Sequence, residues 1–252
     1  MTILPFDCES FPNWSLTWGT YDQTVIKVMK RRMICSIAWL SYPNGKVQTM
    51  ALPDFKGYTP EKWTNREMMR CFKNDILNKQ DIVIVHNVDE FDDKMVNSDL
   101  FLNKLGSPRD HRTIDTLKIL RARMRLNSNR LGDVCEELGI GKKLKNPGIE
   151  MWIGCMRGDR ESWKQMRSYN AHDVNPLLVG LYEHVRPWIR NHPNLCVDQA
   201  VACCPACKCT KLSSDGWRYT QTCGYIRMIC KSCFFRFRKV PIGKSGKFTY
   251  RP

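Results

Sequence analysis

Residues 2–9, Thr2-Ile3-Leu4-Pro5-Phe6-Asp7-Cys8-Glu9 (TILPFDCE), decide how this chain is read. The short apolar run Thr2 to Phe6 predicts a buried strand, and it runs straight into an acidic tripeptide, which places two carboxylates at the strand's end. Side chains alternate along a strand, so Asp7 and Glu9 point the same way and Cys8 faces away from them. A D-x-E tripeptide on its own is usually surface or capping chemistry. Its meaning depends on what the rest of the chain brings to it.

Working outward, Met33 to Leu40 and Val47 to Leu52 read as strands, and the turn residues Tyr42-Pro43-Asn44-Gly45 between them predict an antiparallel hairpin. Asn65 to Asn78 has helical composition. Asp81 to Val85 is a compact β-branched run, read as a buried strand that ends at His86-Asn87. A helix is expected from Asp92 to Lys104, a short extended piece from Arg112 to Asp115, and another helix from Thr116 to Arg125. Asn127-Ser128-Asn129 offers caps for a helix ending near Gly139, and the Gly-, Lys- and Pro-rich stretch Gly141 to Gly158 reads as a loop. Arg160 to Arg190 is helical with an interruption near Pro176 or Pro187. A hairpin followed by alternating strands and helices predicts an α/β fold around a mixed sheet flanked by helices.

Composition bounds the rest. A chain of 252 residues that is 42% hydrophobic and 26% charged forms a packed fold. No apolar run approaches a membrane span, and Met1 to Glu9 is too short and acidic for a signal peptide, so a soluble, cytoplasmic protein is expected. The formal charge of +15 attracts polyanions, nucleic acid above all. Thirteen cysteines in such a setting point to metal rather than disulfides. Five of them, at 8, 35, 71, 135 and 155, are scattered and read as core residues or bystanders. The others crowd between Cys196 and Cys233.

Hydrolysis of a phosphodiester by two metals needs several carboxylates at one spot, because magnesium and manganese prefer hard oxygen ligands. Asp7 and Glu9 supply two, Asp92 follows the strand Asp81 to Val85, and Tyr169 and Asp173 stand at i and i+4 on one helical face. In this order the segments F-D-C-E-S, H-N-V-D-E-F-D and Y-N-A-H-D resemble the three motifs of the DEDD exonuclease superfamily, in its Tyr-containing, DnaQ-like branch with a ribonuclease H-like fold. Further segments, Asp115 to Lys118, Ser128 to Leu131, Leu138 to Gly141 and Leu181 to Ile189, are similar to predicted exonucleases common in tailed-phage genomes.

The resemblance implies a 3′-to-5′ exonuclease. It assigns Asp7 to bridge two Mg2+ or Mn2+ ions, Glu9 and Asp173 to the ion that activates water, Asp92 to the second, and Tyr169 to orient the water. Cys8 departs from the aliphatic residue more common in the family, the motif II loop has two extra acids, Asp89 and Glu90, and Asp93 competes with Asp92. The substrate expected is a DNA 3′ end, with RNA left open. The chain is expected to act as a monomer alongside replication or repair proteins, in the host cytoplasm if phage-encoded. A structure-selective endonuclease of the same fold and a non-catalytic nucleic-acid-binding protein stay open as other readings.

His192-Pro193-Asn194 ends the helical stretch, and composition then shifts to Cys, Lys, Arg and aromatic residues. This divides the chain into a nuclease domain, 1–192, and a basic, nucleic-acid-binding domain, 193–252. Cys204-Pro205-Ala206-Cys207 and Cys230-Lys231-Ser232-Cys233 form two C-x2-C knuckles whose four thiolates can close a structural Zn2+ site. Cys203, Cys209 and Cys223 are surplus, and registers using Cys203 or Cys209 stay open. Resemblance to C-P-x-C zinc ribbons favours Cys204 and Cys207.

Among the cations around the knuckles, Arg227, Arg236 and Arg238 are candidates for phosphate contact; the interleaved aromatic residues Trp217, Tyr219, Phe234, Phe235 and Phe237 could stack on bases, but are read as the ribbon's own core. Ser128, Asn129 and Arg130 form a second candidate contact at a helix start, where free backbone N–H groups can receive a phosphate. Lys142-Lys143-Leu144-Lys145 reads as a mobile solvated turn, with DNA contact as the other reading. His86, His172 and His184 read as structural.

Overall fold

In the computed structural model, β1 spans Ile3–Phe11 and outruns its apolar start. The described residues are 1–21, 23–87, 92–145, 148–196, 202–242 and 247–251, without the side chains of 92, 93, 240–242 and 247–251. Asp7 and Glu9 therefore lie inside the strand, not at its end. The cause is pairing: Asp7 stands opposite Ala38 and Glu9 opposite Ser36 of β4 (Met33–Trp39), and a register shift after Glu9 lets the ladder continue to Phe11. Ladder hydrogen bonds satisfy the backbone regardless of side-chain polarity.

The sheet order is β5 (Gln48–Ala51), β4, β1, β6 (Ile82–Val85) and β7 (Arg112–Asp115). β5, β4 and β1 run antiparallel, whereas β1, β6 and β7 are parallel. The expected hairpin and the buried β-branched strand both form, giving a mixed α/β fold with a five-stranded sheet flanked by helices. β6 is buried throughout because elements cover both of its faces.

Alternation along β1 sorts its side chains. Leu4, Phe6 and Cys8 enter the main core with Phe72, Met95 and Met166. Ile3 joins a second cluster with Ile82, Ile84, Leu178 and Tyr182. Asp7 and Glu9 share the parity of Ile3, so they face the segment Asp173–Leu178, which packs against β1.

The helices are α1 (Arg66–Cys71), α2 (Asp92–Leu102), α3 (Thr116–Arg123), α4 (Leu131–Glu137), α5 (Ile149–Arg157), α6 (Arg160–His172) and α7 (Val179–Val185). The long stretch from Arg160 breaks at both expected places. Asn175 leaves helical geometry (φ −137°, ψ 115°) ahead of Pro176, and a tight turn over Arg186–Trp188 contains Pro187. Proline lacks an N–H and pushes the preceding residue out of the helical region. Asp173 is thereby held at the end of α6, just before the kink.

Two loop expectations are corrected. Residues 141–158 are not all loop, since α5 lies between Gly148 and Gly158, both at positive φ (80° and 83°), where glycine is favoured. These flanking glycines obscured a short amphipathic stretch that buries Met151 and Cys155. α4 starts from Arg130 with no side-chain cap, so Asn127-Ser128-Asn129 precedes the helix without capping it. Also unanticipated is a two-stranded arm, β2 (Trp14–Leu16) with β3 (Lys27–Lys30), between β1 and β4.

Near the C-terminus, β8 (Leu212–Tyr219), β9 (Gly224–Cys230), β10 (Arg236–Ile242) and β11 (Lys247–Arg251) form an antiparallel sheet in the order β11-β10-β9-β8. Among the described side chains its core is small, with Phe235 and Phe237 buried among the knuckle cysteines. Contacts join it to the larger sheet's helices. The His192 ring is 2.7 Å from the Tyr182 hydroxyl and edge-on to Phe235, and the Leu195 N–H donates to the Pro205 carbonyl. Among the described residues no helix is long and apolar enough to cross a membrane.

Candidate active site

Asp7, Glu9 and Asp173 converge, with one carboxylate oxygen from each lying within 4.8 Å of the others. Two come from β1 and the third from the end of α6, so parity on the strand and the kink at Asn175 together build the cluster. Asn170 fixes its geometry. Its Nδ2 donates to Asp7 Oδ2 at 2.7 Å and to the Asp7 carbonyl at 3.3 Å, while its Oδ1 accepts from Ser36 Oγ at 3.0 Å. Asn170 stands one turn before Asp173, a placement legible in the motif Y-N-A-H-D, but no role for it followed from spacing alone.

Lys143 is the residue sequence reading missed. It is no solvated turn: its Nζ is 2.9 Å from Asp173 Oδ2 and 5.2 Å from the Tyr169 ring centroid. Tyr169 and Asp173, on one helical face as expected, thus share one ammonium. Tyr169 is mostly buried, edge-on to Trp152. The adjacent Lys142 carbonyl, 2.8 Å from His172 Nε2, ties this loop to α6.

Burial first, and crowding second, set the electrostatics. Burial, then the nearby Asp173 carboxylate, pushes Asp7 up to about 7 against the pull of Lys143 and Asn170. Burial, then Asp7 and Asp173, pushes Glu9 up to about 8. Asp173 is raised by burial and held back by Lys143. Burial alone would lower Lys143, but Asp173 beside it wins and raises it. Three carboxyls that resist ionising together, with one lysine as counterion, fit a divalent ion by the chemistry of their donors. Asp173 Oδ1 supports that fit, because it is buried with no hydrogen-bond partner.

An open cleft of about 540 Å3 leads to these acids, lined by His86, Asn87, Leu117, Arg121, Ser128, Asn129, Arg130 and Lys143. Ser128, Asn129 and Arg130 therefore share one cleft with Asp7, Glu9 and Asp173, and the buried Asn129 Oδ1 has no partner there. His86 is a structural bridge as expected, reaching Thr116 Oγ1 at 2.8 Å and the Asn129 carbonyl at 3.0 Å. Asn87, which follows β6, is in the left-handed region at φ 85°. Residues 88–91 and the side chains of Asp92 and Asp93 lie outside the described residues, so the expectation for Asp92 reaches only its backbone, at the first position of α2.

The knuckles form a second cluster. One sulfur each from Cys204, Cys207, Cys230 and Cys233 lies within 4.8 Å of the others, and the Cys204–Cys233 and Cys207–Cys230 pairs are both 3.7 Å apart. A tetrahedron with Zn–S bonds of about 2.3 Å has edges of about 3.8 Å, so the donor set fits zinc. The surplus cysteines are not among the four donors: Cys203 is disulfide-bonded to Cys196, contrary to the expectation of metal alone, Cys209 packs beside the cluster and accepts from the Lys211 N–H, and Cys223 is exposed.

Around it the aromatic expectation holds only in part. Phe235 and Phe237 are core, whereas Trp217, Tyr219 and Phe234 are exposed. Arg227 and Arg236 both bind Asp215, which places one carboxylate between two candidate phosphate ligands, and Arg238 lies 4.5 Å over the Tyr225 ring. Lys244 and the side chains of Lys247 and Arg251 lie outside the described residues.

A mixed sheet flanked by helices, with carboxylates gathered from its central strand and a neighbouring helix end, is a ribonuclease H-like arrangement and points to a nucleic-acid hydrolase. Residues 34–186 match the RNase_H superfamily model, RNase_H_2, and the chain belongs to the RNase_H superfamily. The match begins on β4 and ends after α7, so Asp7, Glu9 and the cysteine cluster lie outside it. No curated protein matches the chain significantly.

Proposed function

We propose that the chain is a two-metal-dependent 3′-to-5′ exonuclease of the DEDDy type, acting on DNA ends, with a zinc ribbon over residues 193–252. The observation that carries this is the meeting of Asp7, Glu9 and Asp173 beside Tyr169, with Asp173 Oδ1 left without a donor. Asp7, Glu9, Asp173 and Asp92 are the residues to hold two Mg2+ or Mn2+ ions, and Cys204, Cys207, Cys230 and Cys233 those to hold Zn2+. Divalent ions held there would supply activated water and would stabilise the entering and leaving oxygens of an in-line displacement.

The protein's own part is placement. Asn170 orients the Asp7 carboxylate, and Lys143 offsets its negative neighbours. Tyr169 stands at the cluster to orient water. Ser128, Asn129 and Arg130 face the same cleft and can receive the strand's phosphates, a role the ribbon's Arg227, Arg236 and Arg238 extend.

Labelled DNA and RNA, as linear strands and as closed circles, digested with magnesium or manganese, test the reading. Wild type should shorten 5′-labelled linear DNA stepwise from its 3′ end and leave circles intact, while Asp7→Asn should be inactive with a thermal melt no lower than wild type. Nicked circles would make the enzyme an endonuclease, and absence of any cleavage would make it a binding protein.

A further inference from the structure

Trp217 and Tyr219 lie outside the ribbon's core, 58% and 78% exposed. They stand two residues apart on β8, hence on one face, with ring centroids 6.4 Å apart and planes inclined by only 17°. Their cross-strand partners are Ile226 and Gly224. Gly224 provides the floor: a Cβ there would meet Tyr219 Cε1 at 3.0 Å and Trp217 Cε3 at 3.6 Å, so a larger residue would push the rings off the strand. β8 is an outer strand of its sheet, which leaves the pair at an edge.

The surroundings are cationic. Residues 202–239 hold eight lysines and arginines against a single acid, Asp215. Lys239 extends the same face, across from Ile226, and Arg218 stands between the two rings in sequence. Flat, near-parallel, exposed rings among positive charges complement a polyanion that carries planar groups. Any base offers such a face once it is unpaired, whereas a duplex hides its base faces by stacking.

From this we infer that the ribbon holds an unpaired stretch of nucleic acid by stacking bases on Trp217 and Tyr219, which makes single-stranded ends the substrate class. The inference rests on the nuclease reading above and adds to it what the basic residues alone do not give, a preference for unpaired bases over duplex.

The test uses the zinc-loaded full chain without added magnesium or manganese, and fluorescence anisotropy with a labelled oligothymidylate, an abasic strand of equal length and a blunt duplex. Trp217→Ala and Tyr219→Ala should each weaken oligothymidylate binding about tenfold while leaving the abasic strand and the duplex unchanged, and Trp217→Phe should retain most of the binding. Zinc content and thermal melt equal to wild type exclude misfolding. Equal losses on the abasic strand would overturn the inference, and so would unchanged oligothymidylate binding in the alanine variants, an outcome that gives the rings to a protein partner. Stacking without cleavage of any end in magnesium or manganese would remove the nuclease reading and keep the platform. Cleavage with unchanged binding would do the reverse.

Discussion

Lys143 Nζ lies 2.9 Å from Asp173 Oδ2, so the acidic cluster carries its own cation. The carboxylate is almost wholly buried and the lysine 43% exposed, which limits the pair to about 1–2 kcal/mol after solvent screening. Lys143→Met should lower the melting temperature of the metal-free carboxylate site, measured without magnesium or manganese, because three crowded acids lose their counterion. Manganese should narrow the gap by supplying positive charge itself. An equal loss with and without manganese would reduce Lys143 to a packing role.

Protonation of the cluster gives a pH dependence with a definite sign. Asp7 and Glu9 titrate near 3.8 and 4.5 when unperturbed, and near 7 and 8 in the fold. Between these limits the folded state binds more protons than the unfolded one, so metal-free stability falls as pH rises from about 4 to about 8. Divalent ions need the ionised carboxylates, so their apparent affinity should rise over the same window. Calorimetric titration with manganese in two buffers of different ionisation enthalpy should register proton release at about pH 6 and little above about pH 9. Affinity independent of pH in this window would remove Asp7 and Glu9 as ligands.

Asn170 links the half-buried Asp7 to the buried Ser36, and Asn170→Ala leaves the Ser36 hydroxyl buried without its acceptor. A cost of about 1–3 kcal/mol is expected, together with weaker manganese binding, because Asp7 loses its orienting donor. Asn170→Asp should be worse in the metal-free protein by adding a carboxylate to the cluster. Denaturant unfolding and manganese titration of both variants separate the two effects. Wild-type manganese affinity in Asn170→Ala would leave Asn170 structural only.

Much of this architecture was written in local patterns. The period-2 alternation of β1 put Asp7 and Glu9 on one face, and prolines 176 and 187 marked the breaks in the last long helical stretch. What stayed hidden depended on contacts between segments far apart in the chain. Pairing with β4 extended β1 past Glu9, and no feature of Lys142 to Lys145 indicates that Lys143 meets Asp173, thirty residues away. The glycines around α5 resembled loop chemistry because they end the helix. Exposure of Trp217 and Tyr219 was illegible for a related reason: aromatic residues in a small domain usually form its core, as Phe235 and Phe237 do here and Trp217 and Tyr219 do not.

Metal removal should act selectively on the two clusters. Among the described side chains, the ribbon's apolar core amounts to little beyond Phe235, Phe237, Leu212, Met228 and the cysteines, a small core to fold without an ion. Cys204→Ser and Cys233→Ser should each abolish bound zinc, measured by elemental analysis, and should expose Phe235 and Phe237. The sheet built on β1 has separate cores and should melt as in wild type, apart from a small shift from losing the contact of Phe235 with His192. Because the carboxylates prefer hard ions and the thiolates soft ones, magnesium should not rescue these variants. Zinc retained at one ion per chain in Cys204→Ser would instead shift the ligand set toward another cysteine, with Cys209, adjacent to the cluster, the first to substitute.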